Sequence, residues 1–176
     1  MGRNVELKAR ASNFALQRER AAELAGGTSE VLHQEDTFFR SRRGRLKLRK
    51  FGEGSGELIH YERRDAGGPS ESRYMIIRTS EPDVLKKALS QGLGTLGTVV
   101  KRREVFIVEG TRVHLDEVEG LGLFVELEAV LGPGESRASG EERVRRLRDA
   151  LGISDSDLID RAYVDLIVNG RRTDGS

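Results

Sequence analysis

Two carboxylates stand on a predicted strand at positions where a buried sheet carries apolar side chains. In the hairpin predicted from Gly110 to Leu131, Glu126 and Glu128 alternate with apolar residues, so they share one strand face. Asp116 lies on the facing strand and could reach the same point. Converging carboxylates repel one another unless a cation or basic groups neutralise them, and oxygen ligands favour Mg²⁺, Mn²⁺ or Ca²⁺. For this hairpin alone, a solvated strand face is the ordinary alternative.

Basic side chains form similar rows on two other predicted strands. Arg45, Lys47 and Arg49 share one face, and Lys101 and Arg103 share another. Solvated strand faces usually mix the two signs of charge, whereas each of these rows carries one sign. The pattern therefore favours a closed barrel with apolar faces outside, under helices, and charged faces around an internal tunnel. An ordinary barrel with these faces reversed is the alternative.

Composition narrows the class of protein. The chain has 176 residues, which suits one domain, and its net charge of +1 argues against a general nucleic-acid binder. It contains no cysteine, which excludes a thiolate nucleophile and a thiolate zinc site. We find neither an apolar signal core nor an apolar run of about 18 residues, so we expect a cytoplasmic protein without a membrane partner.

Hydrophobic periodicity and turn residues predict eight or nine strands, mostly joined by hairpins, and about three helices. Besides the hairpin, the predicted strands are residues 3–10, 33–41, 45–51, 57–65, 73–79, 99–108 and 163–168. The predicted helix starts are Ser12, Ser80 with Asp83, and Ser139 with Glu142, and Ser154 with Asp157 starts a short helical turn. We expect one domain over residues 1–168 and a disordered tail over residues 169–176.

The order and spacing of these charged strands resemble the CYTH superfamily, the triphosphate tunnel metalloenzymes, which includes class IV adenylate cyclases and thiamine triphosphatases. The resemblance runs from Asn4 to about Leu166, nearly the whole chain. It rests on Asn4-x-Glu6-x-Lys8, Arg45-x-Lys47-x-Arg49, Lys101-Arg102-Arg103, Leu115-Asp116 and Gly120-x-Gly122-x-x-Val125-Glu126-x-Glu128. Two further segments, Gln34-x-Asp36-Thr37-Phe38-Phe39 and Tyr163-x-Asp165-Leu166, are similar to the class IV cyclase branch in particular.

The resemblance implies an α+β fold: a closed eight-stranded antiparallel β-barrel, the triphosphate tunnel, with helices packed outside. It implies Mg²⁺ or Mn²⁺ as cofactor and a small molecule containing a triphosphate as partner, either ATP or an inorganic or organic triphosphate. No nucleic acid is expected, and the chain is expected to be a monomer or a homodimer. The implied metal ligands are Glu6, Asp116, Glu126 and Glu128. The implied substrate-binding residues are Lys8, Arg45, Lys47, Arg49, Arg63, Lys101 and Arg103, and the implied catalytic residues are Glu6, Lys8 and Lys101.

This chain departs from the family pattern at two positions. Asn4 stands where the family has its first glutamate, which leaves a neutral oxygen ligand and one less negative charge. The family's fourth-strand lysine falls at or near Glu62, so its phosphate contact is either missing or moved to Arg63.

The resemblance predicts a divalent-metal-dependent enzyme acting on triphosphates, first of all an adenylate cyclase that converts ATP to cyclic AMP and pyrophosphate. The alternatives are hydrolysis of tripolyphosphate or thiamine triphosphate, and a non-catalytic binder of triphosphate or polyphosphate. His60 and His114 also lie on polar strand faces. Each is interpreted as a solvated or hydrogen-bonded strand histidine, because two histidines without cysteine make no zinc motif.

Overall fold

Eight antiparallel strands form a closed barrel in the computed structural model, which describes residues 1–52, 54–63 and 68–173. Around the barrel the strands follow the order β1-β5-β4-β3-β2-β6-β7-β8, and β1 pairs with β8 to close it. The predicted barrel is therefore confirmed. The strands are β1 (Gly2–Arg10), β2 (Ser29–Phe39), β3 (Arg45–Phe51), β4 (Gly56–Arg63), β5 (Ser70–Thr79), β6 (Thr95–Val108), β7 (Thr111–Val118) and β8 (Gly122–Val130).

The outer face of one side of the barrel carries the larger core. On β1 the apolar residues Val5, Leu7 and Ala9 are at most 2% exposed, and they alternate with polar residues that face inward. Helices α1 (Phe14–Leu24) and α3 (Arg137–Ala150) cover this face and contribute apolar side chains to the core. The predicted arrangement, with apolar faces outside under helices, is what the structure shows.

Two more helices complete the described chain: α2 (Pro82–Leu93), which packs on β2 and β3, and α4 (Tyr163–Thr173), which packs on β6. A short 3-10 turn, Asp155–Asp157, lies between α3 and α4. None of the helices within the described ranges combines the length and the apolar character needed to cross a membrane.

The strand predicted over residues 163–168 is wrong, because these residues form the first part of α4. Residues 169–173, expected in the tail, continue this helix, and residues 174–176 lie outside the described residues. A short apolar run suits a buried helix as well as a strand, so periodicity could not separate the two. The closed barrel also offers no free edge to a ninth strand.

Helix α4 brings its first turn to one end of the barrel. There Tyr163 and Val164 pack with inward-facing barrel residues such as Phe38, Val99 and Phe124 in a second apolar cluster. The side chain of Asp165 accepts a hydrogen bond from the backbone N–H of Ala162 at 3.1 Å and so stabilises the helix start. This cluster fills one end of the barrel interior.

Helix starts were predicted less accurately than strands. The side chain of Asn13, not that of Ser12, caps α1, and α2 follows Glu81 without a side-chain cap. Helix α3 begins after Ser136, whose hydroxyl accepts a hydrogen bond from the N–H of Ser139, so the predicted box starting at Ser139 is wrong. The box of Ser154 and Asp157 is confirmed.

Close packing of α3 on the barrel gives a stability prediction. A Cβ added at Gly140 would lie 2.8 Å from side-chain carbons of both Val5 and Leu131, whereas one added at Gly92 in α2 would meet nothing within 4 Å. We expect Gly140→Ala to lower the free energy of unfolding by about 1–2 kcal/mol, because overpacking outweighs the gain in helix propensity. The control Gly92→Ala should raise it by up to about 1 kcal/mol. Urea denaturation measures both, and a stabilised Gly140→Ala would contradict the packing described.

Candidate functional site

The barrel encloses a cavity of about 330 Å³, a volume within the usual range for small-molecule sites. Among the described residues that line it, basic groups outnumber carboxylates by eight to five, although the whole chain has a net charge of only +1. The basic residues are Lys8, Lys47, Arg49, Arg63, Arg78, Lys101, Arg103 and Arg112, and the acidic ones are Glu6, Asp36, Glu57, Glu126 and Glu128. The cavity therefore concentrates positive charge and suits an anion with several negative oxygens.

Three of the carboxylates share one wall, formed by β1 and β8. Glu6 stands directly opposite Glu128 in the strand register, and Glu126 follows two residues away on the same face. Burial, followed by the negative charge of Glu126, raises the pKa of Glu6, although Arg63 acts in the opposite direction. Burial alone would raise the pKa of Glu126 too, but nearby positive charges hold it well below its usual range. The wall thus brings three buried carboxylates close together, and positive groups must neutralise them.

Basic side chains supply those cations in this structure. Arg63 lies 2.8 Å from Glu6, and Glu126 lies 2.9 Å from Arg103 and 3.8 Å from Lys8. All of these side chains are at most 15% exposed, so the pairs are screened little by water. These basic partners therefore offset part of the cost of burying the charges of Glu6 and Glu126.

The donor set of this wall fits an oxygen-ligated divalent cation. Asn4 donates from Nδ2 to Glu128, while its Oδ1 is buried and has no hydrogen-bond partner among the described residues. A buried acceptor without a partner beside three carboxylates is the chemistry that Mg²⁺ or Mn²⁺ prefers. Within residues 1–52, 54–63 and 68–173, no three acidic or histidine side chains already surround a common point. Because these carboxylates already pair with basic side chains, a bound cation would displace some of those side chains from them.

Asp116, expected as a fourth metal ligand, lies on β7, the strand next to this wall. Its side chain is fully buried, and it is absent from the described lining of the cavity. Both of its oxygens accept hydrogen bonds from Arg103 at 2.6 Å, and Tyr163 donates to Oδ2 at 2.9 Å. Lys101 is 3.7 Å away. The structure places Asp116 as a partner of the basic residues.

The expected phosphate-binding residues divide between the cavity and its surroundings. Lys47 and Arg49 line the cavity and pair with Asp36 at 2.9 and 2.8 Å. Arg45 instead pairs with Asp165 at the start of α4, at 2.7 Å, and is not part of the described lining.

The family's fourth-strand lysine has a basic counterpart here. The side chain of Glu62 is exposed, whereas that of Arg63 is 10% exposed and lines the cavity. The structure therefore supports the second of the two possibilities: the basic contact has moved by one residue to Arg63.

Two lysines lie deep in the cavity next to Tyr163. The Nζ atom of Lys8 is 3.8 Å from the centre of the Tyr163 ring, a cation–π contact, and that of Lys101 is 5.4 Å away. Burial, and then the positive charge of Arg103, lowers the pKa of Lys101 to about 7, although Asp116 acts in the opposite direction. Near neutral pH the ammonium group of Lys101 is thus close to losing its proton, and an anion nearby would raise the pKa again.

Several lining residues were not assigned a role from the sequence. Arg112 lies on the same strand face as Asp116, so the alternation that pointed to Asp116 also indicated Arg112. Asp36 was noted within a family segment but received no function. Tyr163 could not be placed, because its segment was interpreted as a strand. An apolar wall on β4 and β5 was also missed, and its members are Ile59, Tyr61, Tyr74 and Ile76.

His114 is buried and gives a pH prediction. Burial, and secondly the charge of Arg103, lowers its pKa to about 3, so it is neutral in the folded protein. Below the ordinary histidine pKa of about 6.5 the unfolded chain takes up a proton that the folded chain does not. The stability that this provides is complete above about pH 6.5 and is lost as the pH falls towards 3, by about 1.4 kcal/mol per pH unit.

Urea denaturation of wild type and His114→Gln between pH 7 and pH 4.5 tests this prediction. As the pH falls, the free energy of unfolding of the variant should decrease less steeply than that of wild type. The difference in slope should correspond to the uptake of close to one proton on unfolding. His33→Gln, which changes an exposed strand histidine, is the control and should keep the wild-type slope. Equal slopes for wild type and His114→Gln would show that His114 takes up its proton while the protein is folded.

Comparison with known proteins agrees with the fold. The profile described as CYTH domain matches residues 2–163 of this chain. A Methanocaldococcus jannaschii protein provisionally named an adenylate cyclase is 32% identical over 75 residues, a match that spans 43% of this chain and 43% of that protein. The chain thus matches less than half the length of that relative.

Solved structures resemble the chain over nearly its whole length. The PH1012 protein of Pyrococcus horikoshii has a TM-score of 0.82 and 22% identity, with 93% of this chain and 98% of that chain covered. HpAC1 from Hippeastrum, provisionally named an adenylyl cyclase and described as having a dominant triphosphatase activity, has a TM-score of 0.66 and 15% identity, with 97% and 96% covered. At these identities the likeness concerns the fold alone.

Proposed function

Because this chain belongs to the CYTH domain family, we propose that it binds a nucleoside triphosphate inside the barrel and cleaves it with a divalent cation, as an adenylate cyclase. The observation that carries the proposal is the cavity itself. A wall of three carboxylates faces a lining in which basic groups are in excess. A triphosphate with its cation needs this combination, since the anion requires basic partners and the cation requires oxygen ligands.

The basic side chains suit a chain of phosphates. Lysines supply compact charges and arginines supply planar forks that match two oxygens at once, and the cavity offers both types. Lys8 and Lys101 are the proposed catalytic contacts, because both are buried next to Tyr163 and can neutralise charge that develops on the leaving pyrophosphate. Lys47, Arg49, Arg63 and Arg103 complete the proposed binding set. A site largely closed to water strengthens each of these interactions.

The carboxylate wall is the proposed cation site. Glu6, Glu126 and Glu128 would hold Mg²⁺ or Mn²⁺, with the unpartnered Oδ1 of Asn4 as a neutral fourth donor. A cation held by these residues would supply positive charge that offsets the negative charge developing as the phosphorus–oxygen bond breaks. Asp116 is left out of this set because Arg103 and Tyr163 occupy its oxygens.

The apolar wall of β4 and β5 favours an organic triphosphate over bare tripolyphosphate. Tyr61 and Tyr74 offer aromatic surface next to Ile59 and Ile76, and a planar base can pack on such a surface. In cyclisation the ribose 3′-oxygen forms a bond to the α-phosphorus, the bond from that phosphorus to the bridging oxygen breaks, and pyrophosphate leaves. The 3′-hydroxyl proton leaves with the pyrophosphate or passes to solvent water.

Hydrolysis is the second candidate, and the Hippeastrum structure favours it, since that neighbour is described as a dominant triphosphatase. Water would then attack the terminal phosphorus and the same basic groups would hold the product. A non-catalytic binder is the remaining alternative and now rests on Asn4 alone, because Arg63 supplies the basic group that Glu62 lacks.

Product analysis distinguishes these activities. We expect the protein to convert ATP with Mn²⁺ to cyclic AMP and pyrophosphate, resolved by anion-exchange chromatography. Lys101→Met, which removes a charge at similar volume, should be slower by roughly a hundredfold and so excludes a contaminating ATPase. ADP and phosphate without cyclic AMP would identify a triphosphatase, and tight ATP binding without any product would identify a binder.

Melting temperatures test the carboxylate site. Wild type should melt several degrees higher with Mn²⁺ and a non-hydrolysable ATP analogue, because a ligand at about 100 times its Kd stabilises by about 2.7 kcal/mol. Glu126→Gln removes a charge but no volume, and it should lose most of this gain. The control is Glu117→Gln, which changes a half-exposed glutamate paired with Arg102. If Glu126→Gln gains as much as wild type, Glu126 does not hold the cation.

A further inference from the structure

Two pairings of the same geometry flank Lys101. Asp36 stands directly opposite Arg49 in the register of β2 and β3, and Asp116 stands directly opposite Arg103 in that of β6 and β7. In each pair Nε and Nη2 of the arginine donate to the two carboxylate oxygens, at 2.8 Å in the first pair and 2.6 Å in the second. The aspartates are 2% and 0% exposed. Both are buried two-point salt bridges, which fix the plane of a guanidinium group.

Each aspartate binds the same edge of its guanidinium group, and Nη2 of Arg103 also donates to Glu126 at 2.9 Å. Nη1 of Arg49 and Nη1 of Arg103 make no hydrogen bond or ion pair among the described residues, yet both arginines line the cavity. A guanidinium group held on one edge keeps donors on the other and loses little entropy when a ligand arrives. The pairing with aspartate therefore presents an oriented donor to the cavity.

Each aspartate also holds a second cavity residue. Lys47 donates to Asp36 at 2.9 Å, and Lys101 lies 3.7 Å from Asp116. Without the carboxylates, the two cations on each strand would repel one another at a spacing of two residues. Tyr163 adds a hydrogen bond to Asp116 at 2.9 Å and so restrains that carboxylate from the side of α4.

We infer that Asp36 and Asp116 are positioning residues that orient Arg49 and Arg103, and with them Lys47 and Lys101, towards the phosphates of the substrate. This inference rests on the proposed function, because it assigns a role within the same site. It also gives Asp116 a role other than metal ligand. The aspartates act through their basic partners and need not touch substrate or cation.

The electrostatics of the aspartates are consistent with a permanent role. Burial would raise the pKa of Asp116, but the charges of Arg103 and Lys101 outweigh burial and lower it. The same balance, with Arg49 and Lys47 as partners, holds the pKa of Asp36 well below its usual range. Both carboxylates are ionised at neutral pH, so both salt bridges persist when the cavity is empty.

Replacing either aspartate by asparagine separates orientation from simple charge. Loss of a negative charge makes the cavity more positive, so Coulomb's law alone predicts tighter binding of a polyanion. Loss of orientation predicts weaker binding, because the arginine must then be ordered by the ligand. The two effects have opposite signs.

The experiment is calorimetric titration with inorganic tripolyphosphate in the presence of a chelator, and with Mn²⁺ in the absence of tripolyphosphate. We expect Asp36→Asn and Asp116→Asn to bind tripolyphosphate about tenfold more weakly, the loss of roughly one charge-assisted hydrogen bond. Both variants lose one nearby negative charge and should therefore weaken Mn²⁺ binding to a similar small extent, whereas Glu126→Gln should weaken it more because it removes a proposed ligand. Asp83→Asn, which removes the same charge from a surface pair with Lys50, is the matched control and should bind as wild type does.

Tyr163→Phe keeps both carboxylates and removes only the hydrogen bond to Asp116, so it extends the test to a protein with an intact salt bridge. It should weaken tripolyphosphate binding in the same direction by a smaller factor. Unchanged or tighter tripolyphosphate binding by the Asp36→Asn, Asp116→Asn and Tyr163→Phe variants that fold would overturn the inference and leave the proposed function standing. So would an Asp116→Asn variant that binds Mn²⁺ more weakly than Asp36→Asn does and as weakly as Glu126→Gln, which would make Asp116 a metal ligand. A wild type that binds neither tripolyphosphate nor ATP with Mn²⁺ would overturn both.

Discussion

Charged side chains inside a barrel must be neutralised where they stand, because a water-poor interior makes an unpaired charge costly. This constraint determines how the interior of this protein is arranged. Glu6 pairs with Arg63, Glu126 with Arg103 and Lys8, and Asp36 with Lys47 and Arg49. The charged side chains around the cavity therefore form a network of ion pairs in which basic groups are in excess, and this excess suits an anion.

The network explains how one lining can serve an anion and a cation together. If the proposed function is right, a cation at the carboxylate wall would release basic partners such as Arg63 from their carboxylates, and a phosphate chain could then pair with the released groups. Binding of either ligand would then lower the cost of binding the other, which is positive coupling between two ligands of opposite charge. The same exchange of partners is available to a cyclase and to a hydrolase. What differs between them is the group that attacks the phosphorus.

The sequence predicted the barrel well and the site in part. Strict alternation identified β3 over Arg45–Phe51, and it placed Glu6, Lys8, Glu126 and Glu128 on inward faces. Periodicity states which face a residue occupies, but it cannot state which residue stands opposite on the neighbouring strand. The pairing of Asp116 with Arg103 depends on the register of β6 and β7, so the expected metal ligand was found beside an arginine. Tyr163 escaped prediction because its short apolar segment suits a helix and a strand equally.

The closure of the barrel has a consequence for how the chain folds. Strand β1 pairs with β8, and the register joins Asn4 to Val130, while most other neighbours are successive hairpins. Bringing together segments so far apart in sequence carries a large loop-closure entropy, and pairings of this kind slow folding. The pairing of β1 with β8 also brings Glu6 next to Glu126 and Glu128, so repulsion between these carboxylates opposes it. A nascent chain can form its local hairpins early, but the carboxylate wall exists only after the last strand has left the ribosome.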